Sequence, residues 1–122
     1  MPSKNPAQRL TDIVDNIDAI SSFVSGLDFR SFRADRRTVY AVIRALEIIS
    51  EASRKLPEEL LQRYPEIDWV AIAAAGNIYR HEYDAVDETL IWQTVQQGLG
   101  ALRFVCIEEL RSPTQGPGAS LP

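Results

Sequence analysis

The sequence has very little of what disulfide or metal chemistry requires. Its 122 residues include one cysteine and one histidine, so no internal disulfide can form and a zinc site would have almost no ligands. No apolar run reaches the roughly 18 residues needed to span a bilayer, and no basic, apolar leader opens the chain. These absences predict a cytoplasmic protein with no membrane segment, no bound metal and no cofactor.

Positive charge is also in deficit. The 13 Lys and Arg against 17 Asp and Glu give a net charge of −4, which disfavours a broad, sequence-independent grip on nucleic acid. Eleven of the 13 cations are arginines, however, and the guanidinium is well suited to phosphate. A local cluster, Arg30, Arg33, Arg36 and Arg37, is either a solvated connection or a track for RNA.

Apolar residues spaced by threes and fours predict an all-α fold, an antiparallel bundle of four to five helices. Asp35 and Asp87 are candidate N-caps, and residues 28–34 are predicted to be a connection. The predicted helices cover about 6–27, 36–55, 58–64, 67–81 and 88–110.

The domain organisation follows from these helices. Residues 1–5 form a flexible leader, 6–111 the helical domain and 112–122 a flexible tail with three prolines and no charged side chain. Cys106 falls on the apolar stripe of the last helix, which favours a buried structural thiol over a nucleophile.

Polar groups concentrate in residues 69–92, which hold the histidine and both tryptophans. A helix that reaches His81 places Asn77 and His81 on one face, four residues apart. Gly76 and Arg80 have the same spacing, and because helical side chains lean toward the N-terminus, Arg80 is expected to lie over Gly76. A mid-helix glycine costs about 1 kcal/mol relative to alanine. Close approach of another backbone, a ligand or the arm of Arg80 would each account for it.

This set of side chains favours phosphate chemistry on RNA. A neutral imidazole, with a pKa near 6.5, can take the proton of a 2′-OH, and a guanidinium can stabilise the charge that develops on phosphorus. His81 and Arg80 make half of such a site, and a second copy across a twofold axis would supply the rest. Glu51 could orient a cation. The plainer alternatives are a helix-end cap for His81 and packing for Tyr79 and the tryptophans.

The span from about Pro6 to Leu110 resembles the HepT-like HEPN domain proteins. These are small all-helical prokaryotic toxins paired with a minimal nucleotidyltransferase antitoxin, MntA. Their motif is Arg-Asn-x-x-x-His-x-Tyr, and their second helix carries the phrase Ile-Gly-Glu-Ala, which here is Ile49, Ser50, Glu51 and Ala52. The residues that match the motif and its flanks are Trp69, Ile72, Asn77, His81, Tyr83, Val86, Asp87, Ile91 and Trp92.

The resemblance implies a metal-independent endoribonuclease that acts as a toxin and as a homodimer with paired motifs. In the family the motif arginine and histidine are taken as the RNase pair, which implies that His81 is catalytic, and the motif tyrosine, here Tyr83, accepts AMP from the antitoxin. We assign Asn77, which also matches the motif, a positioning role in the catalytic set. One position departs from the motif, because Gly76 stands where the family has arginine. We hypothesise that Arg80 supplies the missing cation. The alternatives are a catalytically weakened HEPN module that binds a nucleotidyltransferase partner, and a helical bundle with no ligand.

Overall fold

The all-helical prediction is confirmed. A computed structural model describes residues 5–81 and 87–111, with Arg80 and His81 described by their backbone alone. Within that part of the chain there is no strand, and no helix is long and apolar enough to cross a bilayer. The predictions on residues 1–4, on Tyr83 and on the tail from 112 onward lie outside the described residues. The helices are α1 (Ala7–Val24), α2 (Phe29–Ala34), α3 (Arg36–Arg54), α4 (Glu58–Gln62), α5 (Trp69–His81), α6 (Glu88–Gln97) and α7 (Leu99–Arg111).

The central element of the bundle is α3. It packs against both α1 and α5, and α1 also packs against α7. The predicted apolar stripes form these interfaces, because residues three and four apart lie on one helix face. The buried side chains of α1 and α3 include Leu10, Ile13, Ile17, Ile20, Val39, Val42, Leu46 and Ile49. The helix that carries the motif, α5, therefore packs on the central helix of the bundle.

The segment predicted to be a connection contains a helix, α2. Asp28 and Ser31 form a capping box, in which the Ser31 backbone N–H donates to the Asp28 carboxylate at 2.8 Å and the Asp28 N–H donates to the Ser31 hydroxyl at 3.0 Å. Phe32 is fully buried. The prediction was wrong because six residues present a single buried side chain, too few to show a helical period.

Both predicted N-caps of longer helices are confirmed. The Asp35 carboxylate accepts the Thr38 N–H at 3.3 Å and the Thr38 hydroxyl at 2.8 Å at the start of α3. The Asp87 carboxylate accepts the Thr89 N–H at 2.8 Å at the start of α6. Each carboxylate satisfies backbone donors that have no partner inside the helix.

The predicted last helix is two helices that meet at Gly98. The Gly98 N–H donates to the Thr94 carbonyl at 2.9 Å and ends α6, and α7 begins at the next residue. The apolar stripe continues across the break, since Ile91, Leu99 and Leu102 are all buried. An apolar stripe predicts which face of a helix is buried. It does not reveal that the helix is interrupted at a single residue.

The C-terminal half of α7 is anchored by buried groups. Cys106 is fully buried, and desolvation raises the pKa of its thiol to about 12, so the structural interpretation of this cysteine is confirmed. Glu109 is 3% exposed and accepts from Arg63 Nη2 at 2.5 Å and from the Tyr64 hydroxyl at 2.8 Å. This carboxylate, which the sequence did not single out, joins α7 to the end of α4.

Candidate active site

The start of the motif helix is fixed by two hydrogen bonds. The Asp68 carboxylate accepts the Ala71 N–H at 3.1 Å, and the Trp69 indole N–H donates to the Tyr64 carbonyl at 3.1 Å. Trp69 is half-buried against the core, which confirms its predicted role as an anchor. These contacts hold the beginning of α5 against the segment that follows α4.

The middle of α5 meets α3 at Gly76 and Ser50. The Gly76 N–H donates to the Ser50 hydroxyl oxygen at 3.0 Å, and the same hydroxyl donates to the Ala73 carbonyl at 3.1 Å. Both residues are buried. A Cβ added to Gly76 would overlap the Ser50 hydroxyl and lie 3.0 Å from the Ser50 Cβ. Close approach of α3 therefore requires a glycine at this position.

The helix α5 extends to His81, as its predicted range required. The helix remains regular through His81, so Asn77 and His81 lie four residues apart on one face. Asn77 is exposed. The side chains of Arg80 and His81, and the whole of Tyr83, lie outside the described residues, so the convergence of imidazole and guanidinium remains a prediction.

Glu51 lies on the side of α3 that faces α1. Its carboxylate is 3.8 Å from the Lys55 ammonium, one turn along the same helix. It lines a groove of about 290 Å³ whose other charged residues include Arg9, Asp12 and Arg44. Its nearest cation in the described chain is thus Lys55, while its neighbour Ser50 makes the contact with α5.

A larger groove lies between α5 and α6, and the sequence did not predict it. It has a volume of about 690 Å³ and a mainly apolar lining that includes Ala75, Ile78, Tyr79, Leu90 and Thr94. Ile78 and Leu90 are 49% and 61% exposed. A smaller pocket of about 320 Å³ continues toward α3 and α7 and shares Tyr79, Ala75 and Thr94. An apolar cleft therefore opens beside the helix that carries the motif.

Two aromatic residues frame this part of the molecule. Tyr79 is half-buried between the two cavities, and desolvation raises the pKa of its phenol, so it remains protonated at neutral pH. Trp92 packs on Phe32 with ring centroids 5.0 Å apart and on Phe29 at 6.3 Å. Trp92 is thus a core anchor, as predicted, and it attaches α2 to the first half of α6.

The fold is a small helical bundle. Its helix α5 packs on the central helix α3 and carries Asn77 and His81 toward its C-terminal end. The model of the ribonuclease HepT-like family matches residues 13–108. The chain therefore belongs to this family, as its resemblance implied.

Individual relatives agree with the family assignment. The chain is 38% identical over 94 residues to "Probable ribonuclease HepT" of Thermococcus cleftensis, covering 77% of this chain and 86% of that protein. It is 36% identical over 95 residues to "Putative RNase MJ0127" of Methanocaldococcus jannaschii, covering 78% of each. It is 33% identical over 92 residues to "Putative RNase TTE0752" of Caldanaerobacter subterraneus, covering 75% of this chain and 82% of that protein. No solved structure matches the chain significantly.

Proposed function

We propose that this protein is a metal-independent endoribonuclease and the toxin of a cytoplasmic toxin–antitoxin pair. The observation that supports it is the helical geometry of α5, which stays regular through His81 and sets Asn77 one turn before it. This geometry occurs in a chain that belongs to a ribonuclease family and has relatives named as ribonucleases. The roles are His81 as general base or acid, Arg80 as the phosphate-stabilising cation and Asn77 as a positioning group.

The proposed reaction uses the nucleophile that RNA itself contains. His81 removes the 2′-OH proton, the 2′ oxygen attacks the adjacent phosphorus, and the bond to the 5′ oxygen breaks. The products are a 2′,3′-cyclic phosphate and a 5′-OH, whose proton comes from a second, protonated imidazole. Arg80 stabilises the charge that builds on the phosphate oxygens in the transition state.

The assignment of the cation to Arg80 is supported by the packing at Gly76. The space next to Gly76 is filled by Ser50, so an arginine at position 76 would not fit against α3 as it is placed here. Arg80 is one turn further along α5, at the end where His81 lies. A guanidinium from this position can serve the phosphate without displacing α3.

A homodimer would complete the proposed site, since each chain has one histidine. The outer face of α5 supports such an interface, because Val70, Ala74 and Ile78 are exposed at four-residue intervals. Val70 is 80% exposed, and exposed apolar stripes of this kind are typical of association surfaces. The second copy would bring a second His81 to the shared groove.

A second function is favoured by one observation. The motif arginine is Gly76 in this chain, and the structure fills its place with Ser50. If Arg80 does not replace it, the chain is an interaction module that binds a nucleotidyltransferase without cleaving RNA.

Growth of a host that lacks the antitoxin separates the two functions. Expression of the wild-type chain is expected to arrest growth and degrade cellular RNA, and His81→Ala is expected to relieve both effects, because the imidazole is the proton acceptor. Equal expression of the two proteins, checked by immunoblot, is the control. Identical growth of the two strains would favour the interaction module.

The proposed antitoxin is a minimal nucleotidyltransferase that transfers AMP from ATP to the Tyr83 hydroxyl with release of pyrophosphate. An anionic adenylate two residues from His81 would block the site and repel an RNA phosphate. Tyr83→Phe is expected to remain toxic and to escape neutralisation when the antitoxin is co-expressed, because it lacks the acceptor oxygen. Mass spectrometry of the purified chain provides the measurement: a gain of one AMP on wild type and none on Tyr83→Phe. A Tyr83→Phe toxin that the antitoxin still neutralises through AMP transfer would refute this role.

A further inference from the structure

The corner where α2 meets the first turn of α3 carries an exposed cluster of arginines and one tyrosine. We propose that this surface, which we call the arginine corner, binds the backbone and a base of single-stranded RNA. It consists of Arg30, Arg33, Arg36, Arg37 and Tyr40. The proposal rests on the proposed function for the identity of the ligand as RNA, and it adds a binding surface outside the motif.

The charge at this corner contrasts with that of the chain. Four of the 13 cations fall within residues 30–37 of a protein with a net charge of −4, and all four are exposed. Arg33 has a long pairing of 3.8 Å with Glu88, and its side chain remains 66% exposed. An ion pair this open contributes little to stability, so its guanidinium remains available to a phosphate.

Three of the arginines lie at helix starts, where the helix dipole does not favour a cation. Arg36 and Arg37 occupy the first turn of α3, and Arg30 occupies the first turn of α2. The N-terminal end of a helix carries partial positive charge and disfavours cations. Neither first turn contains an acid, although the capping residues Asp28 and Asp35 precede them. The helix dipole therefore does not account for cations at these three positions, which is consistent with a functional surface.

Tyr40 adds a flat aromatic surface to the corner. Its side chain is 57% exposed, and the Arg36 guanidinium lies 5.4 Å from its ring centroid and donates to its hydroxyl at 2.6 Å. Arginines beside an exposed aromatic ring suit single-stranded RNA, because the cations follow the phosphates while an unpaired base stacks on the ring. A duplex, whose bases are already stacked, would leave the ring unused.

The corner lies beside the start of α6, the next described helix after the motif helix. Phe29 and Phe32 pack on Trp92, and Arg33 reaches Glu88 at the start of α6. Asp87, which caps α6, follows His81 by six residues. Six residues span at most about 20 Å, so one single strand can contact the corner and reach the motif.

Binding of an uncleavable RNA tests this surface separately from catalysis. The probe is a fluorescent single-stranded RNA with 2′-O-methyl groups throughout, which has no 2′-OH nucleophile. Its affinity is measured by anisotropy over a range of salt concentrations for the wild-type chain and two triple variants. One variant is R30Q/R36Q/R37Q, and its matched control, R44Q/R54Q/R111Q, removes three exposed arginines elsewhere.

We expect the corner variant to bind about tenfold more weakly at low salt, and the control variant to change by less than about twofold. Each phosphate contact to a single strand contributes about 0.7 to the slope of log Kd against log salt concentration, so three lost contacts lower it by about 2. Tyr40→Ala is expected to weaken binding about fivefold with an unchanged slope. The melting temperature of the corner variant should change by only a few degrees, because the contacts removed are exposed, and this shows that its fold is intact.

Equal weakening in both triple variants, or wild-type affinity in the corner variant, would overturn the proposal. It would also be overturned if the corner variant kept its RNA affinity and lost neutralisation by the antitoxin, since the surface would then serve a protein partner. Because the probe cannot be cleaved, these outcomes are independent of whether the chain is a nuclease. RNA that binds the corner and is never cleaved would refute the proposed function alone.

Discussion

Gly76→Ala is expected to lower the free energy of unfolding by about 1–3 kcal/mol, the usual cost of overfilling a packed interior. In an open helix the same change stabilises by about 1 kcal/mol. The reversal arises because the new methyl group would overlap the Ser50 hydroxyl. Ser50 would have to move and would then lose its hydrogen bonds to the Gly76 N–H and the Ala73 carbonyl.

A matched control and a double variant identify the cause. Gly100 is also helical, and a Cβ there meets nothing within 4 Å, so Gly100→Ala should stabilise the protein. Combining Ser50→Gly with Gly76→Ala should show a coupling energy of about 1–3 kcal/mol, because the two changes share one contact. The measurement is chemical denaturation followed by circular dichroism. A Gly76→Ala variant as stable as Gly100→Ala would contradict the close approach of α3.

Arg80→Ala is expected to reduce RNA cleavage by about 10²-fold or more while the protein remains folded. Losing one preorganised donor to a transition-state anion typically costs 10²–10³ in rate, and Gly76 cannot replace it. Arg80→Lys should recover only part of the activity, because an ammonium lacks the forked guanidinium geometry.

The control for Arg80 is Arg54→Ala, which removes an exposed arginine from the end of α3 and is expected to leave the rate unchanged. Single-turnover cleavage of a labelled single-stranded RNA gives the rates. Wild-type activity in Arg80→Ala would show that Arg80 does not replace the motif arginine. The cation would then have to come from another residue or from the second copy.

Much of the fold could be predicted because long amphipathic helices repeat their signal. The α1 stripe recurs at Leu10, Ile13 and Ile17. A carboxylate cap such as Asp35 is a local signal, because it bonds to residues in the first turn of the helix that it precedes. The helix α2 could not be predicted in this way, since Phe32 is its one fully buried side chain. The break at Gly98 was also hidden, because the buried stripe runs through it.

The candidate site also has features that the sequence could predict and features that it could not. The spacing of Asn77 and His81 is a local property of one helix, and the sequence contains it. The contact of Gly76 with Ser50 joins residues 26 positions apart, and the pairing of Glu109 with Arg63 joins residues 46 apart. Such contacts depend on how helices pack, which a periodic pattern does not specify. The available signal was the glycine itself. A glycine in the middle of a helix indicates that another segment of the chain approaches closely, but it does not identify that segment.

The proposed activity requires the His81 imidazole to activate the 2′-OH of RNA, and cleavage by purified protein in EDTA tests this requirement most directly. The substrates are one single-stranded sequence made as RNA and as its 2′-O-methyl analogue, and the proteins are wild type and His81→Ala, both checked for helical content. We predict cleavage of RNA alone by the wild type, with 2′,3′-cyclic phosphate ends, and a loss of about 10²–10⁴-fold in His81→Ala. Equal rates for the two proteins, or no cleavage by the wild type, would contradict the account.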